Sequence, residues 1–519
     1  MADSIHRIRD KMLSSPLETA GKAIVLSITM TSPVKTSICT RQIVVYLVGL
    51  VLYNLFLHPL RKFPGPKLWA ATRIPYTLNN ISGVSYKRML ALHMQYGPIV
   101  RVAPEIISIN HPDGMKQVRG HRHAGKPEHS KDPLHVAANA GNIIGADRDN
   151  HARFRRILAH VFSAQAMAEQ EPLIKVYIDK LFAGLKRECA GETKVVDLLK
   201  WYNWTTFDII GDLSFGAPFG SLDTNAYHPW VSNIFASIKN LTFGVNANRY
   251  PFVAPLLQAL VPAEVKSKWA EHRDLSTRSL RKRLDTETDR PDFVDKMLNA
   301  RGTKGGEMTF EEMASHCSVL IIAGSETTAT LLSGATYLLA THPEILAKLT
   351  AEVRGAFPTE DDISIAGTSN LPYLLAVLDE SLRIYPPVPG GSPRKIAKGG
   401  DVIIDHFVPE DTIVEIWQWA IYNNPTIISQ PESFIPERWL GDPRFKTDRL
   451  DAVQPFSTGP RNCIGKNLAY AEMRMVLARI VWNFDLSIAP QSRNWIEDNL
   501  VYFLWEKPPL EVALTPRQF

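Results

Sequence analysis

A chain of 519 residues, 45% hydrophobic and 21% charged, has the apolar content of a large folded core, which excludes a disordered or low-complexity protein. Its net charge of +5 is not gathered into a basic stripe, so no nucleic-acid partner is expected; the charge suits an acidic protein partner or an anionic membrane surface. Cys39, Cys189, Cys317 and Cys463 are scattered without a Cys-x-x-Cys pair, which argues against a disulfide framework and a structural zinc site and fits a reducing compartment.

In chain order, the first signal is the nearly uncharged run Gln42–Leu60, followed by Arg61-Lys62 and the stiff Phe63-Pro-Gly-Pro66. Its apolar core, Ile43–Leu57, is shorter than the ~20 residues that span a bilayer, so tilt or flanking residues must help. Residues 1–60 are therefore read as an N-terminal segment with a transmembrane anchor over about 42–60, and 61–519 as one catalytic domain. A buried core helix is the alternative. A cleaved signal peptide fits less well, because no small-x-small site follows the run. Charge does not set the orientation, since Lys35 and Arg41 flank the other end.

Beyond Pro66, helical patterns cover Ala152–Phe162, Leu173–Glu188, Val196–Leu213, Phe310–Thr341, Leu371–Arg383 and Asn467–Trp482. Strands are expected in two places: a hairpin of Ile99–Val102 and Ile106–Ile109, and a second region at Val402–Ile404 and Thr412–Ile416. The fold class is mainly α with a small β region.

Three constellations carry chemistry. Thr309-Phe-Glu-Glu312 is a capping box, and the helix it starts is apolar all round at Val319–Ala323 and Leu331–Ala340, as a core helix is. Gly324-Ser-Glu326-Thr327-Thr328 interrupts it. The Gly-Ser pair can open the helix, leaving a carbonyl and the Thr327 hydroxyl as a polar notch able to bind dioxygen and relay protons; a polar interruption paired with neighbours is the alternative. Glu380 and Arg383, at i and i+3, mean little alone.

The third is Phe456-Ser-Thr-Gly459-Pro-Arg461-Asn-Cys463-Ile-Gly465. Gly459 and Gly465 permit tight turns and close approach, Arg461 can neutralise a haem propionate, and the following helix presents its N-terminus to the sulfur. That setting favours a thiolate held toward a haem iron; a buried structural cysteine is the alternative.

This loop resembles the haem-binding signature of the cytochrome P-450 monooxygenases, and Ala323–Thr328 resembles their oxygen-activation motif. The resemblance implies a cytochrome P-450 fold behind a membrane-anchor helix, and haem b with Cys463 as axial ligand to its iron. Phe456, Gly465 and Gly324 become cofactor-binding positions. Thr327 would hydrogen-bond the oxygen being cleaved, with Glu326 as the acid half of the relay. Arg155, Arg394 and Arg461 would hold the propionates together with His151, which stands where the family often has tryptophan. Phe434-Ile-Pro436-Glu437-Arg438-Trp439 is similar to the family's meander, which implies a buried Glu380–Arg383–Arg438 network.

Tyr53–Pro66, His151–Arg156, Trp201–Gly211 and Pro389–Arg394 further resemble fungal microsomal members, isotrichodermin C-15 hydroxylase-like. That implies NADPH-dependent insertion of one oxygen atom from O2 into an apolar small molecule of secondary metabolism. Electrons would come from NADPH-cytochrome P-450 reductase, with cytochrome b5 as a second donor, since no nicotinamide or flavin fingerprint occurs; the Gly302–Gly306 cluster lacks the required strand-turn-helix context. The implied location is the endoplasmic reticulum membrane, single-pass, with the catalytic domain facing the cytosol. By analogy the pocket is built from Gly120–Asn142, Asn240–Pro251, the helix near Ala323, Val388–Ser392 and the tip at Phe503, which suits a terpenoid, polyketide or indole-type ligand. Two other readings are a haem-thiolate isomerase or dehydratase that uses no external electrons, against which Glu326 and Thr327 count, and a non-catalytic membrane-bound haem sensor.

Overall fold

The computed structural model describes residues 33–518 apart from 124, 252, 260, 287–289 and 300–306, and is mainly helical with small sheets. The glycine cluster at 302–306 lies outside the described residues. Helix α1 (Pro33–Leu52) starts before the expected Gln42 and widens into a π-turn over Tyr53–Leu57. It stops short of Leu60 because Pro59 forces His58 into an extended conformation, at φ −60° and ψ 139°. The stretch Thr40–Leu57 has a mean hydropathy of 1.5 and only 6% of it is buried. Its end is stitched to the body: Asn54 Nδ2 donates to the Ala71 carbonyl at 2.9 Å, and Arg101 Nη1 donates to the Asn54 carbonyl at 2.8 Å.

The expected hairpin forms from β1 (Ile99–Ala103) and β2 (Ile106–Ile109), buried throughout. There follow β3 (Ser130–Lys131), α2 (Arg148–Ala159), α3 (Ala164–Cys189), β4 (Lys194–Asp197), α4 (Leu198–Phe215), α5 (Pro229–Asn248) and α6 (Ala263–Leu284). Next come α7 (Phe310–Thr341), α8 (Pro343–Ala356), α9 (Pro372–Ile384), β5 (Arg394–Lys395), β6 (Asp401–Ile403), β7 (His406–Val408) and β8 (Ile413–Glu415). The chain closes with α10 (Lys466–Asn483), β9 (Phe484–Ile488), β10 (Leu500–Val501), β11 (Trp505–Glu506) and β12 (Glu511–Pro516).

Two strand assignments change. Val196 belongs to β4, not to a helix, because β12 offers it a partner from the far end of the chain; β9 completes that three-stranded sheet. The supposed second strand region divides: β6 turns back on β7, whereas β8 joins the first sheet in the order β1-β2-β8-β5-β3.

The longest element, α7, positions the site. Its capping box is present, with Glu312 N–H donating to Thr309 Oγ1 at 3.2 Å and Thr309 N–H donating to Glu312 Oε2 at 3.0 Å. From Ser325 to Ala340 every residue is buried except Thr327. The expected opening at Gly324-Ser325 does not occur, and the helix is continuous. Ser325 and Thr327 donate their hydroxyls to the carbonyls of Ile321 (2.5 Å) and Ala323 (2.7 Å). Gly324 serves packing: a Cβ there would stand 2.7 Å from Ile210 Cδ1 of α4.

Below the site, Glu380, Arg383 and Arg438 form the expected network, each with a fully buried side chain. Arg383 donates Nε and Nη2 to the two Glu380 oxygens at 2.9 and 2.8 Å, and Arg438 Nε adds a third bond at 3.1 Å. Trp439 Nε1 donates to Glu380 Oε2 at 2.9 Å, and Asp448 pairs with Arg438. Such a unit tolerates no missing member, because a buried charge left alone costs about 3–5 kcal/mol.

Candidate functional site

The Cys463 loop is closed by its own backbone: Cys463 N–H donates to the Phe456 carbonyl at 2.8 Å. Gly459 makes the turn possible, at φ +79° and with the Arg119 carbonyl 1.9 Å from where a Cβ would sit. Gly465 has an ordinary φ of −83° and is the N-cap of α10, so it is not sterically required. Its backbone amide instead bonds the Cys463 thiol. The Phe456 ring lies against Tyr470, with centroids 5.3 Å apart.

Cys463 is exposed, yet burial pushes its thiol pKa up against the opposing pull of the Gly465 amide, Arg155 and Lys466. The sulfur is therefore accessible although protein surrounds much of it. Cys189 and Cys317 are buried, and burial pushes Cys317 up to about 12, so they are inert.

A basic cluster adjoins the loop. Lys131 and Arg394 face each other across β3 and β5, with Arg119 and Arg461 close enough to act on them. Burial and then these neighbouring cations push Lys131 down to about 7 and Arg394 to about 9. Among the described residues, Glu128 is the carboxylate that acts on Lys131 and Arg394, and it pairs with Arg461. Arg394 Nη1 and Arg119 Nε are buried and find no hydrogen-bond partner among the described residues. Four cations against one carboxylate, with two orphaned donors, make a site short of negative charge. A group bearing two carboxylates fits it.

Some predicted residues stand elsewhere. Arg155 gives both terminal nitrogens to Asn462, one to its carbonyl at 2.7 Å, and so braces the loop. His151 is buried, and burial with Arg461, Lys131, Arg155 and Arg394 pushes it down to about 3, so it is a neutral hydrogen-bonding group. Lys131 and Arg119 were not anticipated: the first lies in a two-residue strand and the second in no motif, and only the fold unites them.

Thr327 and Ala323 line a cavity of about 1490 Å³. The five expected segments all contribute, through residues such as Val136, Phe243, Val388 and Phe503, and α6 adds a wall that was not foreseen. Glu326 does not face this cavity. It is 2% exposed and ion-paired with Lys507, whose Nζ also donates to Thr330 Oγ1 at 2.7 Å. The second carboxylate oxygen of Glu326 is buried and has no partner among the described residues. A further acid, Glu472 on α10, is buried and bonded to Thr328 of α7, and burial pushes it up to about 8.

A cysteine loop before a helix, a long core helix with the Thr327 hydroxyl on a cavity wall, and a buried Glu–Arg–Arg unit agree with the cytochrome P-450 family profile, which matches residues 64–514; the chain belongs to that family. It is 58% identical over 473 residues to a trichothecene C-15 hydroxylase of Fusarium sporotrichioides, spanning 91% of this chain and 96% of that protein. It is 42% identical to the monooxygenase astA of Talaromyces wortmannii, over 91% of this chain and 96% of that protein. It is also 42% identical to an averantin hydroxylase of Dothistroma septosporum, over 90% of this chain and 89% of that protein. Membership implies a haem-thiolate iron, and the cysteine and the anion-deficient cluster suit that group.

Proposed function

We propose that residues 61–519 are a haem-thiolate monooxygenase that inserts one oxygen atom into an apolar secondary metabolite, held at the endoplasmic reticulum by the helix before it. A terpenoid of the trichothecene type stands first among the substrate classes, by similarity to the Fusarium hydroxylase. NADPH would supply electrons through cytochrome P-450 reductase, with cytochrome b5 as a second donor. The observation that carries the reading is Cys463, in a loop closed by its own backbone, beside a cluster of buried cations with too few anions.

Haem, when bound, supplies oxygen activation and electron storage. Cys463 would ligate the iron, with the Gly465 amide directed at its sulfur. Lys131, Arg119, Arg394 and Arg461 would hold the propionates, with His151 as a neutral hydrogen-bond partner. Arg155 keeps the loop in shape through Asn462. On the cavity side, the Thr327 hydroxyl rests on the Ala323 carbonyl and becomes a donor at the wall by turning away from it. Glu326 can receive a proton at its unpartnered oxygen, and parting from Lys507 would free it to pass that proton on. An enzyme that rearranges peroxides, or a haem sensor, needs neither group. Incubation with reductase, NADPH and isotopically labelled dioxygen tests the reading: one labelled atom should enter product, and unlabelled product would refute it.

A further inference from the structure

Two serines of α7, away from Thr327, line the cavity, and each receives a hydrogen bond from behind. Ser318 Oγ lies 2.6 Å from Nε2 of His272 on α6. The other ring nitrogen, Nδ1, accepts the Trp230 indole N–H at 2.5 Å. An indole nitrogen only donates, so Nδ1 carries no hydrogen. Burial keeps the imidazole neutral, with its pKa pushed down to about 4, and its one hydrogen is therefore on Nε2. His272 donates to Ser318, and the serine's own hydrogen is left over.

Ser315, three residues earlier and on the same face, is in the same condition. Asn142 Oδ1 accepts the Ile144 N–H at 3.0 Å, which fixes the amide's direction, and Nδ2 then donates to Ser315 Oγ at 3.0 Å. Asn142 and His272 are 2% and 3% exposed, so these supports are built into the wall. Ser325, Thr327 and Ser333 return their hydroxyl hydrogens to α7 carbonyls. Among the described residues, no acceptor takes those of Ser315 and Ser318.

Two preset donors at neighbouring positions match an oxygen that carries no hydrogen and accepts two bonds at once, which the in-plane lone pairs of a carbonyl do better than an ether oxygen. Ser318 precedes Ala323 by about 7 Å of helix and Thr327 by about 13 Å. We propose that Ser315 and Ser318 form a subsite for an ester or ketone oxygen, selecting apolar multi-ring substrates that carry a carbonyl about this far from the oxidised carbon. The subsite deepens the monooxygenase reading, on which the position of oxidation rests; the binding preference does not depend on it.

Equilibrium dialysis with two tricyclic probes, cedryl acetate and cedryl methyl ether, tests it on the full chain, the Ser315→Ala/Ser318→Ala variant and Ser318→Thr. The wild type should bind the acetate about tenfold more tightly than the ether, the gain expected of two neutral hydrogen bonds. The double variant should lose that preference with its ether affinity unchanged, and Ser318→Thr, which keeps a hydroxyl, should retain it. Equal binding by the wild type, failure to bind the acetate, or a preference that survives the double variant would each overturn the subsite. The carbon monoxide spectrum of the same samples separates the two claims: its failure with the preference intact removes the oxygenase reading alone.

Discussion

Thr327 is the only residue between Ser325 and Ala340 that is not buried, and it lines the cavity at the point where the helix passes into the core. Leaving the Ala323 carbonyl costs about 1 kcal/mol, small enough to be recovered by a better acceptor. Thr327→Ala should retain haem and consume NADPH but release hydrogen peroxide in place of product; fully coupled turnover would place the proton donor elsewhere. Motif spacing made it legible that Arg461 neighbours Cys463 and that Thr327 interrupts a long apolar helix, although the break expected at Gly324 does not form. Direction was not legible. Glu326 is adjacent to Thr327 in sequence, yet 100° of helical rotation turns it toward Lys507. Arg155 and Asn462 meet across more than three hundred positions, which no local pattern reports.

At the scale of elements, α7 is held from two sides by carboxylates. Glu326 ties it to Lys507, just beyond the β10–β11 hairpin whose tip lines the cavity. Lys507→Met strands that carboxylate and should destabilise the fold by about 3 kcal/mol, most of which Glu326→Gln restores in the double variant; additive losses in thermal melts would deny the coupling. Glu472 joins α10 to Thr328 of α7, with its pKa pushed from 4.5 up to about 8 by burial. Between those values the native state keeps a proton that the unfolded state has released, so stability falls as pH rises, by about 1.4 kcal/mol per pH unit. Glu472→Gln should therefore raise the melting temperature more at pH near 8 than near 5, and equal shifts would contradict a protonated Glu472. Helices were readable because α7, α9 and α10 carry long apolar patterns. β4 and β12 were not, since each is short and acquires its reason to extend only from the other.

Over the whole molecule, one apolar helix lies almost wholly outside the core and another, somewhat less apolar, lies mostly within it. Their difference is one of surroundings: 67% of the apolar window of α7 is buried, against 6% of Thr40–Leu57, which is tied to the body through Asn54. The globular part then works as a clamp. The Glu380–Arg383–Arg438 unit ties α9 to the meander segment and Glu472 ties α10 to α7, while β3, β5 and the Arg119 segment bring cations from distant positions toward the cysteine loop. The central claim is that this clamp presents Cys463 to a haem iron. The measurement that tests it most directly is the reduced carbon monoxide difference spectrum of the wild type beside Cys463→Ala. The wild type should show the band of a haem-thiolate complex and the variant should lose it, and a band that persists in the variant would contradict the assignment.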